Sequence, residues 1–205
     1  MSGIIKILPP ALSNRIAAGE VVGRPESVVK ELVENSIDSG ATEIIIIISA
    51  AGKNMIQVID NGSGMNEEDA AMCFSRHSTS KISTFEDLEH ITTLGFRGEA
   101  LASICSVSQV ELKTKSSGED LGTLIRIEGN EVKEVSKTSC ERGTSISVKN
   151  LFYNTPGRRN FLKSDQTEFR HIYETFIKLA ISNHDKFFKL INNDNIVFNL
   201  KPDNL

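Results

Sequence analysis

Five consecutive isoleucines, Ile44 to Ile48, constrain this chain more than any other feature. A β-branched run favours the extended strand. The expected strand is Glu43 to Ser49. It is apolar on both faces, which predicts a central strand covered on both sides. Left exposed, such a segment would invite aggregation. Gly52-Lys53-Asn54 supplies a turn, and Met55 to Asp60 reads as a returning antiparallel strand. Residues 43–60 thus predict a hairpin within a larger sheet.

The stretch before the hairpin, up to about Ser39, predicts a helix opened by Gly23-Arg24-Pro25. At about 100° per residue, Glu31, Glu34, Asn35 and Asp38 share an arc of roughly 100°. Val28, Val29, Leu32, Val33 and Ile37 cover the other side, an ordinary core face. Gly40 favours the left-handed conformation that ends a helix. A strip of acids on a helix is usually a solvated face. Here a second polar cluster, Asp60-Asn61-Gly62-Ser63-Gly64, closes the following strand. An acidic helix beside a strand that ends in an acid and two glycines suggests a ligand site.

The chain has 205 residues, enough for one large domain or one domain with an appendage. Its 39% apolar and 24% charged residues are ordinary for a globular protein. A net charge of −4 gives no global argument for nucleic acid, leaving only local basic patches. Cys73, Cys105 and Cys140 are far apart and have no metal-ligand spacing, so reduced cytoplasmic thiols are expected. There is no signal-peptide pattern, and no apolar run near the ~20 residues that span a membrane.

In chain order, Ile4 to Leu8 reads as an edge strand, stopped by Pro9-Pro10. Leu12, Ile16 and Ala17 have helical spacing that Gly19 is expected to break. Met65 to Phe74 predicts a helix capped by Asn66, and Thr84 to His90 a short one capped by Thr84 with Asp87 three residues on. Helix Glu99 to Cys105 opens directly after Gly98. Residues 75–98 form a long polar stretch bracketed by glycine, a class of segment that is usually functional or mobile. Strands follow at Gln109–Lys115, Gly122–Ile127, Glu131–Ser136 and Thr144–Lys149. Asn154 to Gly157 reads as a turn. Thr167 to Asn183 is helical, and Phe187–Ile191 with Ile196–Leu200 makes a last hairpin across Asn192 to Asn195.

The chemistry follows from these parts. Asp60 can accept a hydrogen bond from an exocyclic amino group. Gly62 and Gly64 let backbone approach a planar ligand, although turns alone often produce Gly-x-Gly. Gly95-Phe96-Arg97-Gly98-Glu99-Ala100-Leu101 sets two glycines before a helix start, where free amides suit a phosphate or merely form a cap. Asn35 offers a neutral oxygen to magnesium, which prefers oxygen ligands and bridges phosphates. Glu31, one turn earlier, can activate a water. Together they suggest a nucleotide phosphohydrolase site without a Walker A loop. His77 reads as a packing or capping residue, and the cysteines as plain thiols.

Glu31…Asn35…Asp38, Asp60 to Gly64, Gly95 to Leu101 and Gly143-Thr144 resemble the four ATP-binding motifs of the ATPase family of gyrase, Hsp90-type chaperones, sensor histidine kinases and MutL. Ile16 to Val22, Lys30 to Asn35, Thr79 to Ile82, Gly95 to Ser103 and Leu151 to Arg159 resemble signatures of the MutL family of DNA mismatch repair proteins. The resemblance spans roughly residues 4 to 200. It implies a two-layer α/β sandwich of the Bergerat type: a mixed, mostly antiparallel sheet with helices on one face. It implies an ATPase using ATP and Mg2+, with Glu31 as general base and Asn35 as magnesium ligand. Asp60 would read adenine, with Thr144 supporting it through water. Asp38, Gly62, Gly64, Thr79, Ser80, Lys81, Gly95, Phe96, Arg97, Gly98, Glu99, Ala100 and Leu101 would complete the nucleotide site. Residues 75–98 would be a lid, and residues 1–20 would cross to a second subunit when ATP is bound. Residues 1–205 would be the N-terminal ATPase domain, whose partners are ATP, a second copy, a mismatch-recognition protein and, weakly, DNA through Arg97, Arg158, Arg159 and Lys163. A second α/β domain, carrying a phosphate-contacting lysine, and a C-terminal dimerisation domain would lie outside it. The rival is a binding module that gates contacts without turnover. A histidine kinase is disfavoured, because no phosphoacceptor helix precedes the site.

Overall fold

A computed structural model describes residues 18–19, 21–82, 84–90 and 93–203. Expectations for residues 1–17 lie outside the described residues. Ala18, Gly19 and Val21 are helical, and Val22 N–H donates to the Ala18 carbonyl at 2.8 Å. Gly19 therefore sits within a helical turn and does not end one, contrary to expectation.

The elements are α1 (Pro25–Asp38), β1 (Glu43–Ser49), β2 (Met55–Asp60), α2 (Glu67–Met72), α3 (Phe85–Glu89) and α4 (Ala100–Val107). Then come β3 (Gln109–Lys115), β4 (Gly122–Glu128), β5 (Glu131–Thr138), β6 (Gly143–Lys149), α5 (Pro156–Phe161), α6 (Asp165–Ser182), β7 (Phe187–Asn192) and β8 (Asn195–Leu200). The strands form one sheet in the order β5-β4-β3-β6-β2-β1-β7-β8. Only β1 and β7 pair in parallel; every other neighbour pair is antiparallel. The mixed, mostly antiparallel sheet with helices on one face is as expected.

The isoleucine run is central, paired by β2 on one side and β7 on the other. It is not covered on both faces. Ile44, Ile46 and Ile48 are fully buried beneath the helices, whereas Ile45 and Ile47 are only half-buried. On that open face Ile45 pairs with Ile59 and Lys189, and Ile47 with Gln57 and Ile191. Neighbouring apolar side chains shield the second face, so no second helical layer is needed. Because both of its edges are paired, the run offers no free strand edge for aggregation.

The helix-side core joins Val28, Val29, Leu32 and Val33 of α1 to Ile56 and Val58 of β2 and to Leu112, Ile125, Ile146 and Val148. Phe176 of α6 stacks on Phe198 (centroids 5.2 Å) and meets Phe188 edge-on (6.1 Å). Asn66 caps α2, accepting from Asp69 N–H at 2.8 Å, and Thr84 with Asp87 forms a reciprocal capping box on α3. The stretch from Asn154 to Gly157 is not a free turn: Pro156 occupies the first helical position of α5.

Candidate functional site

Two features, one of α1 and one of β2, place the site. Its apolar face is buried against the sheet, which turns Glu31, Asn35 and Asp38 toward the segments after β2 and before α4. In the sheet, Asp60 ends β2 opposite Ile44 on one side and Thr144 on the other. The last turn of α1 therefore lies over the end of β2.

Asp60 is held tightly. Its Oδ2 accepts from the Ser36 hydroxyl at 2.8 Å. Its Oδ1 accepts from Gly62 N–H at 3.0 Å and Thr144 N–H at 3.2 Å. A carboxylate has about four lone-pair positions, so about one remains for a ligand donor. Burial raises the Asp60 pKa from its usual value, and the three hydrogen bonds oppose that rise.

Ser36 is the residue that reading the sequence passed over. It stands four residues after Leu32, on the apolar side of α1, and is itself buried. A serine on a core face was the available signal. The glycines also pack closely against protein. A Cβ on Gly62 would strike the Ser39 hydroxyl, and one on Gly64 the Lys115 carbonyl. Protein packing alone thus leaves no room for a Cβ at either position. Gly143, at φ +115°, lies so close that a Cβ would meet the Asp60 carbonyl.

The second half of the site is a set of contacts onto α1 from residues 75–98. Lys81 Nζ donates to Asn35 Oδ1 at 2.9 Å and to Asp38 Oδ2 at 2.5 Å. The Lys81 and Asp38 side chains are only 17% and 7% exposed. Asp38 also accepts from Leu94 N–H (3.0 Å) and Gly95 N–H (3.2 Å). One carboxylate thus ties both ends of the expected lid to α1. Thr79 Oγ1 accepts from Lys81 N–H at 3.2 Å. Phe96, Gly98, Glu99, Ala100 and Leu101 lead half-buried into α4, while Ser80 and Arg97 are exposed and Arg97 lies over the Phe96 ring at 5.6 Å. The His77 backbone N–H donates to the Gly98 carbonyl at 3.0 Å, whereas its side chain is 75% exposed and does not pack, contrary to expectation.

Glu31 sits one turn before Asn35. Burial raises its pKa, opposed first by Lys30, whose Nζ lies 3.8 Å away. No cluster of three acid, histidine or cysteine side chains able to hold a metal occurs among the described residues. A divalent ion here would rest on Asn35, water and phosphate. The oxygens fit such an ion: Asn35 and Asp38 already share one cation, the Lys81 ammonium.

One expected feature changes. Arg158 is not available to nucleic acid. It donates to the Val22 carbonyl and lies over the Phe152 ring at 4.5 Å. As expected, Cys73 and Cys105 are plain thiols: burial pushes Cys73 up to about 12 and Cys105 well above its usual value. A concavity of about 230 Å3 lined by Phe74, Arg76, Cys105, Ile127 and Val132 meets the site only through Ser75 and Arg76, at the start of the 75–98 segment.

Residues 23–155 match the family described as histidine kinase-, DNA gyrase B-, and HSP90-like ATPase. The chain belongs to that ATPase family. Within it the chain is of the MutL type. It is 54% identical over 98% of its length to the DNA mismatch repair protein MutL of Chloroherpeton thalassium, covering 32% of that relative. It is 53% identical over its whole length to MutL of Parabacteroides distasonis, covering 33%. The chain thus spans about a third of the curated relatives it matches. The Aquifex aeolicus MutL ATPase domain complexed with ADP superposes with a TM-score of 0.74 at 33% identity, covering 90% of this chain and 66% of that one. The N-terminal domain of a DNA repair protein superposes at 0.78 with 29% identity, covering 93% and 56%. The matched span of this MutL-type ATPase domain holds Glu31, Asn35, Asp38, Asp60, the segment 75–101 and Thr144.

Proposed function

We propose that this chain binds ATP with Mg2+ and hydrolyses it as the switch domain of a DNA mismatch repair protein. The observation that carries the reading is a pair of polar clusters joined by the last turns of α1. At one end Asp60 keeps a free acceptor position for an adenine amino group. At the other, Asn35, Asp38 and Lys81 gather cation and anion ligands beside the glycine-rich entry to α4. Membership in an ATPase family supports it.

Magnesium, when bound, would neutralise phosphate charge. Asn35 would hold it through its side-chain oxygen. Glu31 would take a proton from the attacking water. The amides before α4 would face the phosphates at a positive helix end. Catalysis would then come from positioning and charge neutralisation. Lys81 would leave Asn35 as the metal arrives and turn to the phosphates. Residues 75–98 would close as a lid, residues 1–20 would reach a second copy, and that dimer would signal to a mismatch-recognition protein. A lysine from a second domain would complete the charge shell, leaving turnover by residues 1–205 alone weak. DNA contact would rest on Arg97, Arg159 and Lys163, so it would be weak and salt-sensitive. A cytoplasmic, nucleoid-associated setting follows from that role.

The lid gives a direct test. Without nucleotide it is tied to α1 through Asp38, by Lys81 and two backbone amides. Few contacts mean a low opening free energy. Limited proteolysis should cut first within residues 75–98, and a non-hydrolysable ATP analogue with magnesium should protect them. Lys81→Met should speed cutting of the nucleotide-free protein several-fold. The same cleavage rate with and without nucleotide would remove the lid from the mechanism.

A further inference from the structure

We infer that Glu34 holds the Lys30 ammonium off Glu31, so that the general base stays free of a direct ion pair. The inference rests on the general-base reading of Glu31 above.

Besides burial, three charged side chains act on the Glu31 carboxylate: Lys30 and Glu34 of α1, and Lys81 of the 75–98 segment. Neither cation is bonded to it. Lys30 Nζ lies 3.8 Å from Glu31 Oε1 and donates to Glu34 Oε2 at 2.8 Å. Lys81 donates to Asn35 and Asp38. Each ammonium beside the base is thus bonded to another oxygen.

Burial favours this partition for Lys30. The Glu34 side chain is only 12% exposed, against 28% for Glu31. The more sheltered carboxylate loses more by going unpaired, so the ammonium goes to Glu34. A brace for the helix is the weaker account of the pair. Lysine precedes glutamate by four residues, the less favourable order along a helix. Pairs with one exposed partner also contribute little to stability.

The consequence is chemical. A carboxylate in a direct ion pair is a weaker base, because its charged form is stabilised. It also has fewer lone pairs free for a water. A general base works best when it titrates near the working pH. Burial moves Glu31 in that direction, and the Glu34 charge adds to the rise. Lys30 is the largest opposing influence, and closer contact would strengthen it. Glu34 is therefore a positioning residue that acts through Lys30 and not on the nucleotide.

The experiment follows single-turnover phosphate release and ATP affinity, with magnesium, across pH. It compares the parent, Glu34→Gln, Lys30→Met, the double variant and Glu31→Ala. Glu34→Gln removes the competing charge and lets Lys30 close onto Glu31. Turnover should fall several-fold while ATP affinity holds. The acid limb of the rate profile should move to lower pH by about half a unit, the scale of one unit charge about 4 Å away in water. Lys30→Met alone should move the limb the other way, and it keeps the test open should Glu34→Gln fail to fold. In the double variant turnover should recover, because the cation that Glu34 restrained is gone. Carbon-13 titration of the Glu31 carboxyl in the nucleotide-free protein should shift in the same directions, and it decides the matter where turnover is too slow to follow. An unmoved midpoint in Glu34→Gln, or a double variant slower than Glu34→Gln, would make the pair a structural brace and overturn the inference. Turnover surviving in Glu31→Ala would instead overturn the general-base reading itself.

Discussion

Replacing Glu31 by alanine should leave ATP binding intact and abolish turnover. The side chain projects from α1 one turn before Asn35, on the face that carries Asn35 and Asp38, and is half-buried. Lys30 sits 3.8 Å from it and is itself bonded to Glu34 at 2.8 Å, so no cation neutralises Glu31 closely. In the proposed function it would meet a water near the terminal phosphate, and the Asp60 end of the site would not involve it. Loss of a general base costs about 10²–10⁴ in rate. The pH dependence has a definite sign. Glu31 must be ionised to accept a proton, and burial holds its pKa above the usual carboxylate range. Turnover should therefore fall as pH drops through that raised value, before ordinary surface carboxylates titrate. Phosphate release at saturating ATP, set beside calorimetric binding, tests both points. Undiminished turnover in Glu31→Ala would remove the residue from the mechanism.

How much of this could be read from the sequence depended on how far each interaction reaches. Helix α1, the Asn66 cap, the Thr84–Asp87 capping box and the paired strands rest on local periodicity and local hydrogen bonds. They stand within one or two residues of expectation. The turn at Asn193 and Asp194, both at positive φ, is likewise local: Asn and Asp tolerate that conformation. What escaped depends on partners far along the chain. The Ser36–Asp60 bond spans 24 residues, the Met65–Thr114 bond 49 and the Thr114–Thr144 bond 30. Local periodicity reports which face a residue occupies, and not what arrives opposite it. The same limit explains Arg158. In the sequence it is one of two adjacent arginines after a proline, a surface pattern. In the fold, the Phe152 ring and the Val22 carbonyl enclose it. Ile45 and Ile47 show the opposite error. Their composition asked for burial, and partial shelter by neighbouring strands was enough.

The contacts of Lys81 were also out of reach of sequence reading, because its position among the motifs says nothing of where its ammonium rests. In the fold it rests on the oxygens of Asn35 and Asp38, where a divalent ion is expected. One cation thus stands in for another. If a divalent ion binds Asn35 as proposed, the arrangement would couple lid position to it, because Asn35 cannot serve both closely at once.

The groove should discriminate against GTP by up to about 10⁴-fold, the scale reached when a buried polar group is left facing the wrong partner. Asp60 already receives three donors, and its remaining lone pair can take only a fourth. The adenine amino group is such a donor. Guanine carries a carbonyl at that position, so two acceptors would face one another in a buried site. Asp60→Asn tests the polarity while preserving shape. The amide oxygen can still accept from the Gly62 and Thr144 amides, and the Ser36 hydroxyl can rotate to accept from the new NH2 group. The pocket should therefore fold, but its free position becomes a donor or is lost. ATP affinity should fall by about 1–3 kcal/mol, the cost of an unsatisfied buried group, and the preference over GTP should shrink by at least as much. Acid should mimic the substitution in the parent. The Asp60 pKa is raised by burial, so lowering the pH through it places a proton on the carboxyl, and that proton can meet a guanine carbonyl but repels an amino group. ATP preference should therefore erode on the acid side and hold at neutral pH. Calorimetric titrations of both nucleotides across that range, in the parent and in Asp60→Asn, measure every term. Equal ATP affinity in the two proteins, or a pH-independent preference, would take the base-reading role away from Asp60.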